Sequence, residues 1–118
     1  MTITKAHWNS GFGVQTPKQV PTIDMERITQ WRANVWMSIH EVIEVMKDTC
    51  PEYNGFNVET LKHYAEDLQD LEFQIAREGS VTLYARGKVN MGHITVLHLG
   101  LRVDELDNDE TGFRAWWD

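Results

Sequence analysis

Apolar residues recur at every third or fourth position from Met25 to Cys50, through Ile28, Trp31, Val35, Ile39, Val42 and Met46. That spacing keeps one stripe of a helix out of water and predicts a long helix over 23–50. Trp36 and Ile43 widen the stripe. Thr22 can cap it, Asp24 and Glu26 fall in the first turn where the helix dipole favours acids, and Pro51 ends it. Such a helix would run about 40 Å, long enough to be the spine of the fold or to reach into a second subunit of a homodimer.

A second helical stripe follows over 57–79, made by Val58, Leu61, Tyr64, Ala65, Leu68, Leu71, Ile75 and Ala76. Asn57 is a good N-cap, and Gly79 stands where a left-handed C-terminal residue would. Between the helices, Asn54-Gly55 carries turn chemistry. The two stripes predict an antiparallel helical hairpin.

At Ser80 the period drops from 3.6 to 2. Val81, Leu83 and Ala85 alternate with Thr82, Tyr84 and Arg86; Leu97, Leu99, Leu101 and Val103 alternate with Val96, His98, Gly100 and Arg102. Two strands with one apolar face each predict a β-hairpin laid on the helices, reversing somewhere in 87–93, where Gly87 and Gly92 leave room for a third short strand. The expected fold is therefore α+β, of order ααββ. Its divisions are an extended arm over 1–22, broken by Pro17 and Pro21 and pinned by Trp8 and Phe12, a core over 23–103, and a tail over 104–118. That tail joins an acidic loop to Phe113, Trp116 and Trp117.

Composition narrows the class. A chain of 118 residues with five tryptophans is one globular domain. A single cysteine, Cys50, excludes an internal disulfide and a thiolate zinc cluster, which favours a reducing compartment. No signal sequence or membrane span is visible, so a cytosolic location is expected.

The net charge of −7 is unevenly spread: residues 80–103 carry +3 and residues 104–118 carry −5. Nucleic acid is then not the default partner, and a basic protein surface is a better match. Tyr84, Arg86, Lys88 and His93 have the chemistry of a small RNA-binding face, but acidic segments border them on both sides.

Candidate chemistry is sparse. Cys50 sits at a helix C-terminus, which raises a thiol pKa, and Ser10, Ser38 and Ser80 lack a nucleophile elbow. Among His7, His40, His63, His93 and His98, no two are spaced to share a metal. The most enzyme-like set is Glu41 and Glu44 on the first helix with Asp67 and Asp70 on the second, each pair three residues apart. Those four acids resemble the acidic constellation of the all-α nucleoside triphosphate pyrophosphatases of the MazG type. The resemblance implies a Mg²⁺-dependent nucleotide hydrolase, built on a bundle of about four helices where this chain supplies two.

The reading the residues favour is different. It is a small acidic, non-enzymatic binding module without a cofactor, an inhibitor or regulator that engages a basic surface of a partner protein. That surface could be a nucleic-acid-binding groove, as for a mobile-element antagonist. Asp104, Glu105, Asp107, Asp109 and Glu110 would steer the partner; Phe113, Trp116 and Trp117 either dock back on the body, as large aromatics usually do, or form a recognition tail in which Trp116 and Trp117 supply apolar anchors. A third reading is a structural subunit that assembles through the long helix.

Overall fold

In the computed structural model, the described residues, 29–118, build a five-stranded antiparallel sheet with short helices over one face. In chain order the elements are β1 (Gln30–Arg32), α1 (Ile39–Thr49), β2 (Glu52–Tyr53), β3 (Phe56–Asn57), α2 (Val58–His63), α3 (Ala65–Leu68), β4 (Glu72–Glu78), β5 (Val81–Arg86), α4 (Met91–Thr95), a π turn (Val96–Gly100), β6 (Glu105–Asp109) and β7 (Gly112–Trp117). The strand order is β1-β4-β5-β7-β6, and β2 pairs separately with β3 across the expected Asn54-Gly55 turn.

The alternation read over 81–86 is the strand β5, at the centre of the sheet. Val81, Leu83 and Ala85 stand in register with Trp117, Ala115 and Phe113 on one side and with Arg77, Ile75 and Phe73 on the other. All of these except Arg77 are apolar, and they form the face beneath the helices. The register Arg77↔Val81 leaves Glu78, Gly79 and Ser80 to make the reversal between β4 and β5. Gly79 is left-handed there, at φ 76°, so it closes a hairpin instead of a helix.

The expected helical hairpin is not present, and three local competitions explain why. The helix over 23–50 shrinks to the 11 residues of α1, with Ser38 and Glu41 closing a capping box at its start. Residues 23–28, like the arm over 1–22 with Trp8 and Phe12, lie outside the described residues. Trp31, Ala33, Val35, Met37 and Ile39 also alternate at period 2. Pairing with β4 selects that period: Trp31 stands opposite Arg77, and Met37 and Phe73 exchange amide hydrogen bonds of 2.8 and 2.7 Å. The stop before Pro51 and the Asn57 cap are where the residues place them; the Asn57 side chain accepts from the Glu59 and Thr60 amides.

The helix over 57–79 breaks after Leu68. Its helical stripe would leave Phe73 on a polar face, whereas Leu71, Phe73 and Ile75 alternate, and the turn into β4 and β4 itself bury all three. Residues 97–103 are the converse case. Asn90 caps α4, the chain continues through the π turn, and the helix seats Leu97 and Leu101, four residues apart. Leu99 is left 78 % exposed.

The stretch 104–118 is not a loop and tail. It is the β6–β7 hairpin, and β7 lies inside the sheet between β5 and β6. The order ααββ gives way to a fold dominated by its sheet, and an 11-residue helix of about 16 Å removes the basis for assembly through a long spine. No helix among the described residues is long and apolar enough to cross a membrane.

Gly87, which follows β5, has φ 134°, and a Cβ there would lie 2.8 Å from Cδ2 of the buried Leu71. Gly87→Ala meets both backbone strain and overpacking, and is expected to destabilise the fold by about 1–3 kcal/mol in a urea titration. An unchanged midpoint would contradict this local geometry.

Candidate functional site

The face of the sheet away from the helices carries a polar layer. Tyr84 is buried and its hydroxyl donates to the Glu78 carboxylate at 2.8 and 2.9 Å. Arg114 Nε donates to the same carboxylate at 2.8 Å, and its guanidinium lies 3.9 Å from the Trp116 ring. Arg32 Nε donates to Gln74 Oε1 at 2.7 Å, with its guanidinium 3.7 Å over the Tyr84 ring. Burial and the hydrogen bond to Glu78 push the Tyr84 phenol well above its ordinary range. Burial draws Arg32 down, opposed by Tyr84 and Glu78. Burial also draws Arg114 down, but Glu78 and Tyr84 outweigh it and the net shift is upward. These groups satisfy one another. Of the four residues with the chemistry of an RNA-binding face, Tyr84 and His93 are both buried.

A more open arrangement lies at one end of the sheet. There the turn into β4, the exit from β5 and the Glu110-Thr111 turn meet; Gly87 donates its amide to the Thr111 carbonyl and Val89 to that of Glu110, each at 3.1 Å. Asp70, Glu72, Arg86, Gly87, Lys88, Glu110 and Thr111 line a cleft of about 510 Å³. A second cleft of about 310 Å³, lined by Glu66, Asp67, Gln69, Asn90, Gly92 and His93, shares Asp70 with it. The two clefts, which meet at Asp70 and are together called the trough, are lined between them by five acids, Glu66, Asp67, Asp70, Glu72 and Glu110, and by the cations Arg86 and Lys88. Arg86 is itself occupied, bonded to Glu72 at 3.0 Å and stacked 4.4 Å from the Trp36 ring.

Asp70 is held by His93. The Asn90 amide donates to His93 Nδ1 at 3.1 Å, so the ring proton sits on Nε2, which meets Asp70 Oδ1 at 2.9 Å. His93 is 3 % exposed and Asp70 is 61 % exposed, so the imidazole anchors a carboxylate that faces water. With both nitrogens engaged, His93 has no lone pair for base catalysis. Chemically, the trough is suited to receive ammonium and guanidinium groups.

Of the residues singled out for metal chemistry, Asp67 and Asp70 line the trough, whereas Glu41 closes the Ser38 capping box and Glu44 pairs with Lys47 at 3.7 Å. Among the described residues no three His, Cys, Asp or Glu side chains are grouped to hold a metal ion. Of the acids assigned to partner binding, Glu110 reaches the trough. Asp104 accepts from the Asp118 amide at 2.9 Å, Glu105 from Trp116 Nε1 at 2.6 Å, and Asp109 from the Thr111 amide and hydroxyl at 2.7 and 2.6 Å. Asp107 stands opposite Arg114 on β6. Trp116 is half-buried. Trp117 is not an external anchor: it is 1 % exposed, edge-on to Phe56 at 5.0 Å, and donates to the Leu101 carbonyl at 2.9 Å.

The Asp70–His93 clasp was missed in the sequence, although Asn90 three residues before His93 is the spacing of a capping box. Comparison with family models, with curated proteins and with solved structures finds no match to this chain.

The Tyr84 shift has a measurable sign. A phenol whose pKa is raised by folding stabilises the fold fully below its ordinary value of 10.0, and that contribution is lost as pH rises above it. Phenolate absorbance should show a late ionisation step, well above pH 10, that Tyr84→Phe removes. A titration that Tyr84→Phe leaves unchanged in its late part would contradict the buried Tyr84–Glu78 bond.

Proposed function

We propose that the protein is a non-enzymatic, acidic protein-binding module, an inhibitor or regulator that engages a basic surface of a partner protein. The observation that carries this reading is the trough, two clefts sharing Asp70 whose linings bring together acids from α3, from the turn before β4 and from the β6–β7 turn. Acids brought together from separate elements present a field that steers a cationic partner and raises its on-rate by about 10–10³ at low salt. The net charge of −7 adds to that field. A partner whose own ligand is nucleic acid offers the matching surface, and occupying its groove would make this protein an antagonist of mobile-element type. The buried lone thiol of Cys50 accords with a reducing cytosol.

The pyrophosphatase alternative is not retained, because it requires an all-α bundle and the described fold is dominated by its sheet. Assembly through a long helix is set aside for the corresponding reason.

The test is affinity capture from the organism's own extract with the wild type and with Glu66→Lys/Asp67→Lys/Glu110→Lys. All three side chains are exposed, so the fold should persist. The wild type should retain a basic protein at ~0.05 M salt and release it near ~0.3 M, and the triple variant should lose it at both. Equal capture with equal salt dependence would overturn the reading.

A further inference from the structure

Two large apolar side chains stand out in water among the described residues: Met91 at 75 % and Leu99 at 78 % exposure. They lie on the same helical stretch, with the exposed Thr95 midway between them. The Thr95 hydroxyl is turned back onto the Met91 carbonyl at 2.9 Å, so its donor is already engaged within the helix. Met91, Thr95 and Leu99 thus make an apolar stripe about 12 Å long, two turns of helix. Leu99 is outside for a definite reason. The helix seats Leu97 and Leu101 against the core, and a residue midway between them must point the other way.

The stripe adjoins the acidic trough. Asn90, Gly92 and His93, from the first turn of the same helix, line the cleft that Glu66, Asp67 and Asp70 make acidic. An apolar ridge beside a row of carboxylates is complementary to one kind of surface: a helix with apolar residues on one face and Lys or Arg along its flank. A second copy of this chain would bring the same acids, on a body of net charge −7, against themselves.

We propose that Met91, Thr95 and Leu99 form the docking face for a basic amphipathic helix of the partner, whose cations enter the trough. The proposal rests on the acid-mediated reading above and names the partner's local structure.

The probe is a fluorescein-labelled Leu/Lys peptide of about five helical turns, with leucines at helical spacing. A peptide of identical composition in scrambled order is the control. Fluorescence anisotropy should give the wild type about tenfold tighter binding to the amphipathic order than to the scramble. Amide NMR shifts should centre on 91–99. Met91→Glu/Leu99→Glu, at exposed positions, should erase that preference while leaving the weaker binding common to both peptides. Glu66→Lys/Asp67→Lys should weaken both peptides alike.

Equal affinity for the two orders, or a preference that survives Met91→Glu/Leu99→Glu, would overturn the docking face while leaving the acidic reading intact. No loss with Glu66→Lys/Asp67→Lys would instead overturn the acidic reading. A dimer seen by light scattering and broken by Leu99→Glu would identify the stripe as a self-contact and overturn the proposal.

Discussion

The pairing of β5 with β4 and β7 sets the terms for everything else in this molecule. A slip of one residue along either neighbour would exchange Leu83 with Tyr84 between faces, placing a phenol in the apolar core and a leucine in the polar layer. Both exchanges are costly, because each strands a group among partners of the wrong kind. The register is therefore enforced from both sides of the sheet at once. Given that register, the apolar face needs a cover, and α1 supplies it with Ile39, Val42, Ile43, Val45 and Met46. The turn into β4, the exit from β5 and the β6–β7 turn then meet at one end, where the trough forms.

The two faces use different physics. Beneath the helices, stability comes from area removed from water and from edge-to-face rings such as Phe73 and Phe113, 6.1 Å apart. On the other face, arginines and aromatic rings alternate, with Glu78 as the shared acceptor of Tyr84 and Arg114. A buried polar layer of this kind is favourable only when its members are satisfied, and it then specifies one arrangement. The outer strand β6 bears Glu105, Asp107 and Asp109 along its length. Besides their local bonds, those charges discourage edge-to-edge stacking with another sheet, the hazard that an outermost strand always presents.

Local signals with a stereochemical mechanism were legible in the residues: the Asn57 cap, the stop before Pro51, the Asn54-Gly55 turn, left-handed Gly79 and the alternation of 81–86. What periodicity could not arbitrate were segments that fit two periods. Residues 31–39 are apolar at steps of two and of four, and the choice was made by β4, more than 30 positions away. Residues 97–103 alternate like a strand, yet the chain is helical through Gly100 and irregular beyond it, because Asn90 and His93 cap that helix and the neighbouring β6 and β7 complete the sheet without it. The acids of 104–110 were legible as charge, but of these only Glu110 lines the trough. The trough itself was hidden because its residues converge from three separate stretches.

The exposure of Met91 carries a chemical liability that the rest of the fold escapes. Met37 and Met46 are sealed at 1 % and 0 %, so among the described methionines a mild peroxide meets the Met91 thioether first. Adding one oxygen there converts a soft apolar tip into a polar sulfoxide without touching the core. The molecule would keep its shape and thermal stability while one edge of its surface changed character, and a methionine sulfoxide reductase would restore it.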